Sequence, residues 1–256
     1  DWLTWLILAG RGWGKSRTGS ETTHRRAMDG RARFIALAAA DYDDVRGVMI
    51  EGKSGILAVA PPAERPVWEP SKRLLTWPNG AQARCFSGKD PEGFRGPEFD
   101  WFWADEIAKW QYLDEAWSNL RMATRLGLAQ GMATTTPRPR KVLRDLIQEA
   151  ARGTTYLTRG ATYDNRANLS AAFFREISRF EGTRLGRQEL LGEVLDDTPG
   201  ALWTLTLIDA LRALRLPRIM VSIISFMYRY LAVLTDEASR MNRAKASRSA
   251  VLAGRG

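Results

Sequence analysis

Near the start of the chain the apolar run WLTWLIL, Trp2 to Leu8, breaks into AGRGWGKS, Ala9 to Ser16, and Lys15 to Met28 then carry helical composition. A short apolar run ended by glycines reads as a buried parallel strand, so the glycine-rich stretch lies between a strand and a helix. It fits the phosphate-binding (Walker A) pattern GxxxxGK[ST], with Ala9 in place of the first glycine. Glycines let backbone N–H groups wrap phosphate oxygens, and the N-terminus of the following helix adds a favourable dipole. In such a loop Gly10, Gly12 and Gly14 shape the cradle, Lys15 reaches the β- and γ-phosphates, and Ser16 ligates Mg²⁺. The alternative is a glycine-rich turn without a ligand.

The rest of the chain alternates in the same manner. RFIALAAA, Arg33 to Ala40, reads as a second strand, followed by a helix start with Asp41 as its cap. Lys72 to Trp77 and Ala81 to Phe86 bracket Asn79-Gly80, a hairpin signal. Phe99 to Glu106 reads as a buried strand ending in two carboxylates, and Leu113 to Leu126 as a helix. GLAQGMATTTPRP carries a strand that finishes in hydroxyls; Val142 to Ala151 suits a helix and Thr154 to Thr158 a strand. Ser170 to Leu195 reads as a helical region broken near Gly182. Strands alternating with helices predict an α/β fold, a mostly parallel sheet flanked by helices.

Composition sets limits on the chemistry. A length of 256 residues allows one large domain and a small extra element. Ten tryptophans are many for this length, and composition favours the core over base stacking for most of them. Cys85 and His24 are the only residues of their kinds, which excludes an internal disulfide and a zinc site built from His and Cys. The net charge of +9 hints at an acidic partner such as nucleic acid, but residues 211 to 256 hold nine basic side chains against Asp236 and Glu237, so that segment supplies +7 of it.

WFWADE, Trp101 to Glu106, supplies the second half of a nucleotide site: Asp105 supports Mg²⁺ and Glu106 polarises the attacking water. Alone this is a common strand ending; with the loop it predicts a nucleoside triphosphate hydrolase. No guanine-reading NKxD pattern occurs, which favours ATP over GTP.

Four segments in order, LAGRGWGKSRTGSE, FRGPEFDWFWADEIAKW, MATTTPRP and RQELLGEVLDD, resemble the ATPase half of the large terminase subunit of tailed bacteriophages, most closely the version in gene transfer agents and related prophages. The resemblance runs from about Asp1 to about Trp203. It implies an ASCE-type P-loop NTPase fold and an ATP- and Mg²⁺-dependent motor that moves double-stranded DNA into a prohead. The implied partners are the portal protein, the small terminase subunit and further copies of itself in a ring, in the cytoplasm of a bacterial host and transiently at the portal. By the same resemblance Arg11 senses the γ-phosphate, and Arg95 in FRGP reaches a neighbouring subunit's nucleotide. A surface arginine is the equal alternative for Arg95. Thr134, Thr135 and Thr136 match the coupling motif, whose hydroxyls hydrogen-bond the attacking water or Glu106. The alternative is that threonines simply end a strand. Arg138 and Arg140 read as a solvated basic turn.

The family's nuclease domain begins with a strand ending in a metal-binding aspartate. LPRIMVSI resembles that strand, but no aspartate stands near Ile224, and Asp236 and Glu237 are the only later acids, so nuclease activity is not expected. Residues 1–200 are therefore expected to form the ATPase domain, cut at its N-terminal side, 201–223 a linker and the start of a lost nuclease domain, and 224–256 an aberrant, basic, helical tail. That tail fits a frameshift, or else a basic DNA-binding arm. Met220 to Leu234 is too short to span a membrane and contains Arg229, so no membrane is expected. A helicase-like DNA translocase and a non-catalytic assembly module are the competing readings.

Overall fold

The computed structural model describes residues 2–195, which lie in one compact unit. The expected boundary at residue 200, the linker and the basic tail all lie outside the described residues. Eight strands form one sheet in the order β3-β4-β5-β2-β6-β7-β1-β8. They are β1 (Thr4–Ala9), β2 (Phe34–Ala39), β3 (Val67–Glu69), β4 (Leu74–Thr76), β5 (Gln82–Ser87), β6 (Trp101–Ala104), β7 (Gln130–Thr135) and β8 (Thr155–Gly160). The six strands from β5 to β8 across the sheet pair in parallel, and β3 and β4 extend it antiparallel. β7 lies between β1 and β6.

The helices are α1 (Lys15–Met28), α2 (Tyr42–Asp44), α3 (Ile56–Val59), α4 (Leu113–Ala123), α5 (Lys141–Ala151), α6 (Ala171–Ile177) and α7 (Arg184–Glu189). Period-2 alternation on the central strands builds two cores. Leu6, Leu8, Ala36, Ala38, Phe102 and Ala133 face α4 and α5, while Ile7, Ile35, Leu37, Trp101, Trp103 and Met132 face α1 and the turn at Val45–Ile50. Trp77, Trp101, Trp103 and Trp110 are among the largest fully buried side chains, so these four serve the core.

The expected elements differ in instructive places. The helix after Asp41 is one turn, capped by Asp41 accepting from the Asp44 N–H, and it passes into a π-helix over Val45–Ile50, where Glu51 N–H donates to Arg46 O at 2.8 Å. β3 gave no sequence signal because Pro66 and Pro70 flank its three residues; proline is tolerated there because the strand is at the sheet edge. The β4–β5 hairpin forms as expected, with Gly80 at φ +85°. The region after Ser170 is two short helices separated at Gly182, which has φ +74°. Among the described residues no helix is long and apolar enough to cross a membrane.

Candidate active site

β1, β6 and β7 run parallel, so their C-terminal ends bring three motifs to one edge of the sheet. At the end of β1 the chain turns through Gly10–Gly14 into α1. Gly14 caps the helix at φ +113° and ψ 16°, a left-handed conformation that costs glycine little and other residues about 1 kcal/mol or more. Lys15 follows and is only 8% exposed. Its Nζ donates to Ala9 O (2.9 Å), Gly10 O (3.3 Å) and Thr136 Oγ1 (3.0 Å), and it lies 3.4 Å from Glu106 Oε1. Ser16 is half-buried in the first turn of α1.

β6 stops at Ala104, so both carboxylates lie just past the strand. Asp105 is buried, and burial pushes its carboxyl up to about 6, against the downward pull of the hydrogen bond from Thr134. Glu106 adopts φ 46° and ψ 46°, a left-handed conformation that strains a non-glycine residue by about 1–2 kcal/mol. This turn points its carboxylate back toward β7, where Glu106 accepts from the Thr136 N–H (Oε2, 3.2 Å) and hydroxyl (Oε1, 3.4 Å).

The three threonines divide the acidic turn among themselves. The Thr134 hydroxyl donates to Asp105 and accepts from Trp103 Nε1 at 3.3 Å. Thr135 Oγ1 accepts from Ala108 N–H (3.2 Å) and donates to Thr136 O (2.9 Å). Of the three, Thr136 is the one bonded to Glu106 and Lys15. Arg140 is not part of a solvated turn: it is half-buried and donates to Trp110 O, while Arg138 is exposed.

Arg11 and Arg95 stand apart from this cluster. The Arg11 side chain is 70% exposed, with Nε 3.2 Å from Glu189 Oε2. Arg95 is exposed and pairs with Glu92 at 3.1 Å. Residues 160–192 also contact the loop, a role that the sequence left unassigned. Thr162 Oγ1 donates to Arg11 O and Asn165 Nδ2 to Gly12 O, each at 2.7 Å. A Cβ on Gly160 would fall 2.0 Å from Trp13 Nε1, so only glycine lets that indole pack there. The one available signal was the polar, turn-rich GATYDNRANLS, which shows no periodicity to mark it as a buttress.

A hydroxyl at Ser16 and one buried carboxylate at Asp105 beside a phosphate cradle suit Mg²⁺. Mg²⁺ generally takes several of its ligands from water and substrate phosphates. Among the described residues no group of three acidic, His or Cys side chains that could hold a metal occurs.

A model of the terminase large subunit, T4likevirus-type, N-terminal, matches residues 6–209, about four fifths of the chain. The chain belongs to the terminase large-subunit family. Solved structures share its fold. The large terminase from a thermophilic bacteriophage, in complex with ADP, is similar at 17% identity and a TM-score of 0.64, with 75% of this chain and 49% of that one covered. The large terminase ATPase domain of Thermus phage P74-26 is similar at 15% identity and a TM-score of 0.56, covering 75% and 88%. The first of these terminases in complex with ATP-gamma-S gives 16% and 0.58, covering 76% and 48%. The chain thus spans about half the length of that large terminase chain. A second model, cobalt transport protein, matches residues 203–253, all outside the described residues. No curated protein matches the sequence.

Proposed function

We propose that this terminase chain is an ATP-hydrolysing motor domain that moves double-stranded DNA into a prohead. The observation that carries the reading is the meeting of Lys15, Glu106 and Thr136 within 3.0–3.4 Å at the ends of β1, β6 and β7. Gly10, Gly12 and Gly14 admit the phosphates to the backbone, and the Lys15 ammonium neutralises the β- and γ-oxygens. Glu106, oriented by the Thr136 amide and hydroxyl, takes a proton from water. The water oxygen bonds the γ-phosphorus, the bond to the bridging oxygen breaks, and ADP and phosphate leave. Such a base contributes about 10²- to 10⁴-fold. Ser16 and Asp105 would hold Mg²⁺, which would supply positive charge against the charge that develops during transfer. Thr134 to Thr136 then transmit the state of the acidic turn along β7.

The ADP and ATP-gamma-S complexes of the thermophilic phage's large terminase support a nucleotide at this loop. Arg11 is assigned to the γ-phosphate and Arg95, exposed on the surface, to a neighbour in a ring. The portal, the small subunit and the host cytoplasm belong to the same reading, and residues 224–256 are expected to cut no DNA. The test is ATP hydrolysis by the unaltered chain with and without double-stranded DNA. Stimulation by DNA supports the motor; nucleotide binding without turnover in either condition supports an assembly module instead.

A further inference from the structure

The loop 136–140, between β7 and α5, runs from the acidic turn out to solvent. At one end the Thr136 amide and hydroxyl donate to Glu106, and the same hydroxyl accepts from Lys15 Nζ. At the other end Arg140 points inward, its Nη2 donating to Trp110 O. The backbone between them is stiff. Pro137 and Pro139 fix their own φ, and Arg140 N–H donates to Arg138 O at 2.8 Å, closing a tight turn around Pro139. Thr136 and Pro137 are buried and Pro139 and Arg140 half-buried, so Arg138 is the exposed residue of the loop. Among the described residues no hydrogen bond or ion pair holds its guanidinium. Lys141 and Lys109, on the neighbouring segments, are exposed as well, but each faces a carboxylate, Asp145 at 2.6 Å and Glu106 at 3.9 Å.

We propose that Arg138 grips a phosphate of the double-stranded DNA backbone, and that the loop 136–140 ties this contact to the state of Glu106. The inference rests on the motor reading above and names a residue that touches the DNA. A planar guanidinium forms two parallel hydrogen bonds to a phosphate, and such a contact ignores base sequence, as a motor moving along any DNA requires. A cation already engaged by a carboxylate must break that pair first; Arg138 has none to break. Because the two prolines leave the loop little freedom, a displacement of Thr136 reaches Arg138, two residues on, instead of being absorbed. When a nucleotide phosphate takes the Lys15 ammonium, Thr136 loses its bond from Lys15, and the Arg138 end of the loop shifts with it.

The experiment uses the full chain and measures affinity for linear double-stranded DNA of random sequence at several salt concentrations, ATP turnover with and without saturating DNA, and Tm. It is run on the unaltered chain, Arg138→Ala, Arg138→Lys and Arg152→Ala, the last an exposed arginine at the far end of α5. Arg138→Ala should keep Tm and DNA-free turnover. It should bind DNA about five- to tenfold more weakly at about 0.1 M salt and flatten the slope of log affinity against log salt by about one, the loss of a single phosphate contact. Stimulation of turnover by saturating DNA should fall with it. Arg138→Lys keeps the charge and should recover most of the affinity, and Arg152→Ala should behave as the unaltered chain. Equal DNA affinity and salt slope in Arg138→Ala and the unaltered chain would overturn the proposal, and so would an equal loss in Arg152→Ala, the mark of diffuse attraction. Lost DNA-free turnover with DNA affinity intact would place Arg138 at a nucleotide and overturn it too. Weaker binding with full stimulation would overturn the tie to Glu106. The motor reading fails separately, through turnover in the unaltered chain that DNA does not stimulate, and the salt slopes then still decide whether Arg138 touches DNA. An unaltered chain that binds no DNA overturns both.

Discussion

Lys15 and Glu106 face each other across the ends of β1 and β6, with Nζ 3.4 Å from Oε1 and the Thr136 hydroxyl bonded to both residues. The proposed base and the proposed phosphate-binding cation thus share one hydroxyl.

Lys15→Ala removes the buried ammonium at the centre of this cluster and should weaken ATP binding by about 10- to 100-fold, the range for a lost hydrogen bond to a charged group. Titration with a fluorescent ATP analogue measures it. The Ala9 and Gly10 carbonyls lose a buried donor in this variant, so Tm should fall as well.

Asp105 is a carboxyl buried at a cost to stability. Its carboxyl is raised from 3.8 to about 6, chiefly by burial, so ionising it in the folded protein opposes stability. The folded state binds more protons than the unfolded state between about pH 4 and 6, and stability contributed by this group therefore falls as pH rises through that window. Asp105→Asn should accordingly be more stable than the unaltered chain at pH 8, by up to about 3 kcal/mol for a shift of this size. The advantage should shrink below pH 6 and vanish near pH 4, while ATP turnover is lost. Thermal melts of both proteins across pH 4–8 decide it.

Gly19 sets how closely α1 lies on the sheet. A Cβ there would fall 2.1 Å from the Trp103 indole, which is fully buried and cannot move aside. Gly19→Ala should destabilise the domain by about 1–3 kcal/mol or more despite its better helix propensity. Urea unfolding measures the loss, and a variant as stable as the original would mean that α1 sits further from β6.

Cys85 is buried on β5, and desolvation pushes its thiol up to about 12. Its reaction with a disulfide reagent at pH 8 should be about a thousandfold slower than that of a free thiol, and denaturant should abolish the difference. Reaction at the free-thiol rate in native buffer would contradict the packing of β5 against β2.

Much of this arrangement was legible in the sequence because its signals are local. α1 runs from Lys15 to Met28, as the composition after the glycines indicates, and the Asn79-Gly80 hairpin forms. The alternation on β1 and β6 is masked by apolar residues on both faces, yet a continuous apolar run is itself the mark of a strand covered on both sides. The sequence did not reveal what depends on tertiary placement. The left-handed turn at Glu106 leaves no local trace, since glutamate is an unusual residue there, and it is the turn that aims the carboxylate at Thr136. The division of roles among Thr134, Thr135 and Thr136 follows from the β6–β7 register, and three identical residues in a row cannot announce it. Glu189 meets Arg11 across 178 positions of sequence, with no motif linking them.

A hydrolytic site at Lys15, Glu106 and Thr136 depends on the Glu106 carboxylate, so the deciding assay is phosphate release from Mg²⁺-ATP by the unaltered chain and by Glu106→Gln, with ATP affinity measured on both. Turnover should fall by about 10²-fold or more in Glu106→Gln while ATP still binds. Equal rates in the two proteins would contradict it.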